Sequence, residues 1–187
     1  MDMTLSKQQF IIALSTIYES EEQYNDASLG FGFIGLHGYK RMFRYFEILD
    51  NMHSKKMNEW FIQHRGHCLM VAKTHNKSML DEPIFKSTRY EIGREHMKSH
   101  VQSFMKKLID FNHKSINTLS ACSLELLKNG DFVAQEKIFH LINHLECRNK
   151  KMMRIENELR LVDYDCVFIM QSQKEIHDKY KQKIKDL

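Results

Sequence analysis

The chain has 187 residues, 42% of them hydrophobic and 28% charged, which is enough apolar material for one domain with a core. Its formal net charge of +4 is mild and spread along the chain, which argues against a nucleic-acid binder with a basic face, and no run of about 20 apolar residues is available to span a membrane. One proline and seven glycines leave few helix breakers, so the composition predicts long helices.

The first periodic segment covers about 5–29, where Phe10, Leu14, Ile17 and Tyr24 recur at helical spacing. The stretch "LGFGFIGLHGY" follows. It holds Gly30, Gly32, Gly35 and Gly38, more than half of the chain's glycine, and predicts the sharp turn of a helical hairpin. The second helix is expected over about 39–64, with Phe43, Phe46, Leu49, His53, Met57 and Trp60 as one stripe and Gly66 as its stop. Residues 66–90, which include Pro83, have no clear period and read as a long connection. The third helix is expected over about 91–128 and the fourth over about 132–162, separated by "KNGD". After "DYD" a shorter fifth helix is expected over about 166–184. Its end carries the one basic run, "KYKQKIK", read as a solvated helix end.

Short turns make antiparallel neighbours, and a long connection lets two hairpins lie in the same direction. The expected architecture is all-α: a four-helix bundle with one long crossover and a short fifth helix, forming one domain over residues 1–187. Apolar residues thought to face outward, such as Ile11 and Phe61, would then need covering by neighbouring subunits.

The sharpest metal-like spacing is in "EKIFHLINHLEC", where Glu136, His140, His144 and Cys147 share one face of the fourth helix. Two histidines at i and i+4 suit Zn2+ or another divalent metal. Four ligands strung along one helix span about 16 Å, too far to share one ion, so His140, His144 and one neighbour such as Glu136 are the candidates. The alternative is a solvated polar stripe, and the same choice applies to His96 and His100. The four cysteines form no CxxC pair. That suits a reducing, cytoplasmic setting and is also compatible with a secreted chain whose leader has been removed.

The order of helices resembles the ferritin family over about residues 5–184. "YKRMFRYFEILDNMHSKKMNEWFIQHRGH", with its Arg65–Gly66 stop, looks like the second ferritin helix. "LELLKNGD" looks like the end of the third, and "DYDCVFIMQSQKEIHDKY" like the short fifth. The resemblance implies a self-assembling cage, of one or of several kinds of subunit, that stores iron as a mineral. Some subunits of such cages carry a di-iron oxidising centre built on Glu-x-x-His. Aligned on His53, that motif becomes His53-x-x-Lys56, and the third helix offers Asn112 where a carboxylate is expected. Neither Glu19, Glu21 nor Glu22 lies seven residues before a tyrosine. The resemblance therefore implies a light-chain-like subunit without iron-oxidising chemistry, while charge and the lack of a long apolar run predict no nucleic-acid or membrane partner. Two other readings stay open: an oxidase with a rearranged metal centre, and a helical interaction protein without metal.

Overall fold

The computed structural model describes residues 3–69, 71 and 93–187. They form five helices: α1 (Met3–Phe33), α2 (His37–Arg65), α3 (Arg94–Lys128), α4 (Phe132–Leu161) and α5 (Cys166–Lys185). Most of the expected long connection, with Pro83, lies outside the described residues.

Two apolar clusters define the packing. Tyr24 and Phe31 near the end of α1 meet Tyr39, Phe43 and Phe46 at the start of α2, Phe104 and Leu108 at the start of α3, and Met152 and Leu159 late in α4. At the other end, Phe10 and Leu14 of α1 meet Phe61 of α2, Leu119 and Leu126 of α3, and Ile138 and Leu145 of α4. The starts of α2 and α3 thus share one end of the bundle, so these two helices run in the same direction and the chain must cross the bundle's full length between them. That is the four-helix bundle with one long crossover. Helix α5 folds back and packs chiefly on α2, with Ile169 and Tyr180 completing the first cluster. Phe61, expected on the outer face, is buried, while Ile11 packs partly buried at the edge of the second cluster.

The glycine-rich hairpin is tighter than the sequence suggests. Helix α1 runs on through Gly30 and Gly32 to Phe33, and only residues 34–36 connect it to α2. Leu36 N–H bonds to Phe31 C=O at 2.9 Å and Gly35 N–H to Gly32 C=O at 3.1 Å. This paired closure of a helix end requires a left-handed residue, here Gly35 with φ 82. Gly38 serves a different need. A Cβ there would sit 1.9 Å from the Gln173 carbonyl oxygen, so its bare backbone lets α5 cross α2 in contact.

The same closure ends α3, through Asp131 N–H to Leu126 C=O and Gly130 N–H to Leu127 C=O, both at 3.0 Å. It also ends α4, where Asp163 takes the left-handed position with φ 51. Aspartates then start the following helices. Asp131 accepts from Ala134 N–H at 3.2 Å, and Asp165 accepts from Val167 and Phe168 N–H at 2.9 and 3.0 Å. Asp131 also accepts from Ser6 at 2.6 Å and from Arg65 at 2.6 and 2.8 Å, which ties the start of α1 and the end of α2 to the start of α4.

Candidate functional site

Between the two clusters the bundle holds a polar layer. Asp50 of α2 is fully buried. Its carboxylate is ion-paired with Arg148 of α4 and accepts from the Ser20 hydroxyl of α1 at 2.7 Å. Tyr24, one turn along α1, donates to Asn112 Oδ1 of α3 at 2.9 Å. The Arg148 guanidinium stands 5.7 Å from the Tyr24 ring and 5.5 Å from the Phe46 ring, where the aromatic faces favour its charge. All four bundle helices contribute a side chain to this layer.

The electrostatics follow from burial. Burial pushes the Asp50 carboxyl up, against the pull of Arg148 and the Ser20 hydrogen bond. Burial opposes the charge of Arg148 as well, but the neighbouring Asp50 and Tyr24 hold it protonated. Burial raises Tyr24 to about 12, so its hydroxyl stays a donor. Among the described residues, Asn112 Nδ2 and Arg148 Nη2 are buried donors without an acceptor, a demand that one or two internal waters would meet.

On α2 the side chain that enters this layer beside His53 is Asp50, three residues before it. Lys56, three residues after, lies on the exposed side. His53 is half-buried and packs against His144 of α4, ring centroids 4.4 Å apart and the planes tilted by 39°. Burial, then the nearby charge of Arg148, lowers His53 to about 4, and the same two causes lower His144. Glu136 and His140 meet at 3.8 Å on the exposed side of α4, while His144 turns toward His53. Among the described residues, no group of three or more His, Cys, Asp or Glu is arranged to hold a metal. Seven residues before Tyr24, where the ferritin spacing has glutamate, stands the buried Ile17. Glu21 accepts from Asn51 at 3.0 Å at the rim of the layer.

Sequence reasoning missed Asp50, Arg148, Ser20 and Tyr24 as partners. A signal for one of them was present: "DNMH" is an Asp-x-x-His, with a shorter acid in place of glutamate. Arg148 carried none, because a lone arginine on a mostly polar helix face reads as solvated.

No protein-family model matches the chain, and no curated protein matches it by sequence. Similarity appears in three dimensions. A humanized archaeal ferritin superposes with a TM-score of 0.73 at 15% identity, covering 95% of this chain and 97% of that one. A variant ferritin from the hyperthermophilic archaeon Archaeoglobus fulgidus gives 0.71 at 16% identity, covering 95% and 98%. The open-pore ferritin of the same organism gives 0.61 at 18% identity, covering 95% and 97%.

The chain has the ferritin fold. At this identity the likeness is one of architecture, and the chemistry rests on the residues themselves. A di-iron centre in such a bundle needs several inward carboxylates to balance two cations. Among the described residues, the interior of this layer presents one carboxylate, Asp50, already bonded to a guanidinium, together with the neutral Tyr24, Asn112 and Ser20. This donor set does not fit a pair of iron ions.

Proposed function

We propose that this chain is a light-chain-like ferritin subunit: one ferritin-like domain that contributes to an iron-storage shell, alone or with other subunits, without oxidising iron itself. The observation that carries the reading is the Asp50–Arg148 pair at the centre of the bundle. Arg148 supplies internally the positive charge that a metal would bring, and a cation entering beside it would meet like-charge repulsion in a region of low dielectric. The shell part of the reading is supported by a fold match to archaeal ferritins over 95% of the chain.

Two measurements test it. The purified protein should elute as an assembly far larger than its 22.4 kDa chain, alone or mixed with a second ferritin-type subunit. Under matched conditions it should oxidise Fe2+ no faster than buffer. Rapid, saturable oxidation with two irons per chain would overturn the non-catalytic part. A monodisperse monomer in both settings would overturn the shell.

A further inference from the structure

Helices α4 and α5 diverge around a cleft of about 470 Å³, within the roughly 300–1,000 Å³ range of small-molecule sites. One wall is apolar: Ile155 of α4 with Phe168 and Ile176 of α5, backed by the fully buried Leu159 and Tyr39. The rim is cationic. Two of its cations are already matched, Arg154 by Glu158 at 2.9 Å and Lys150 by Glu146 at 3.4 Å. Lys151 and Lys179 also line the cleft, with Glu175 as the remaining acid. Among the described residues no carboxylate pairs with Lys151. Its ammonium group donates to the Tyr180 hydroxyl and stands 4.3 Å from the centre of that ring. Lys183 adds a further cation alongside, 5.7 Å from the same ring. A half-buried ammonium group among cations, facing an apolar wall, has the complement of an anion with a hydrocarbon body.

We propose that the cleft between α4 and α5 binds a small amphiphilic monoanion of the medium-chain carboxylate class, its head on Lys151 and Lys179 and its chain along Ile155, Phe168 and Ile176. The site is separate from the Asp50–Arg148 layer and does not rest on the iron-storage reading. The crowding of cations gives independent support: burial, then Lys179, Lys183 and Arg154, lowers Lys151 to about 8, so an arriving carboxylate relieves a charge that the fold leaves unbalanced.

Titration calorimetry of the full chain at pH 7 with decanoate, decanol and inorganic phosphate tests this. Decanoate should bind one per chain, at least tenfold tighter than decanol, and phosphate should not bind measurably. Lys151→Met keeps the apolar stem. It should erase the preference for decanoate while leaving decanol binding unchanged, and Lys179→Met should reduce that preference in a chain whose Lys151 contacts are intact. Decanol binding as tightly as decanoate, a preference that survives both substitutions, no decanoate binding at submillimolar concentration, or phosphate binding as tightly as decanoate would each overturn the proposal.

Discussion

Among the described residues, Asp50 is the carboxylate that answers the charge of buried Arg148, so the bundle's centre is sensitive to the loss of either partner. Removing one partner of a buried ion pair leaves the other uncompensated, at a cost of about 3–5 kcal/mol, whereas replacing both by apolar groups costs far less. Arg148→Met should therefore lower the urea unfolding free energy by about that amount, and Asp50→Leu with Arg148→Met should recover much of it. A loss below about 1 kcal/mol in the single variant would mean that water reaches Asp50. Buried His100 and half-buried His53 contribute to the pH response. His100 is held at about 4 by burial alone, and His53 is at about 4 as well, both against an ordinary value of about 6.5. Between those values the unfolded chain binds more protons than the folded one, so stability is complete above pH 6.5 and is lost as pH falls toward 4. His100→Phe should make the urea midpoint less sensitive between pH 7 and 5, with a difference of about 1–2 kcal/mol; an unchanged slope would show that His100 titrates normally.

At the scale of elements, the contact of α5 with α2 depends on a single missing methyl group. Gly38→Ala would place a carbon 1.9 Å from the Gln173 carbonyl, and backbone cannot yield as a flexible side chain does. The helices must separate, at a cost of about 1–3 kcal/mol. Hydrogen exchange should quicken in α5 while the first half of α1 stays protected; equal protection in both would show that α5 is not seated through Gly38. The glycine cluster thus has two distinct roles that composition merges into one. Gly35 supplies a left-handed turn, and Gly38 supplies room for a helix more than 120 residues away in sequence. A glycine-rich turn can be read from local chemistry, whereas a close helix crossing is legible only when both helices are in place. The stripe of α2 shows the same limit. Leu49 and Trp60 fit the apolar period, yet Phe46, Asp50, Met57 and Phe61 are the positions that turn inward. An aspartate on the buried face hides the true stripe, because periodicity counts only apolar residues.

For the whole molecule, one exposed apolar group lies at the corner where α3 meets α4. Leu124, Leu127, Phe132 and Val133 are all exposed there, Phe132 at 64% and Val133 at 56%. On the shell reading this corner is covered by another subunit. Phe132→Glu puts an acid in the first turn of α4, where the helix dipole favours it, so the fold should survive while the assembly shifts to smaller species in size-exclusion chromatography. An unchanged elution volume would place this corner outside any subunit contact. The sequence by itself determined the number and order of the helices, the short turns and the long crossover, because those follow from local periodicity, breakers and chain length. It also carried the resemblance to ferritins through its helix ends, and two of those fragments meet in space, Arg65 bonding to Asp131 at 2.6 Å. Only the tertiary structure decided what fills the centre. Asp50 and Arg148 lie 98 residues apart, and nothing local to either marks it as buried; their pairing is decided when four helices close around a space of low dielectric, where neither charge is stable without the other.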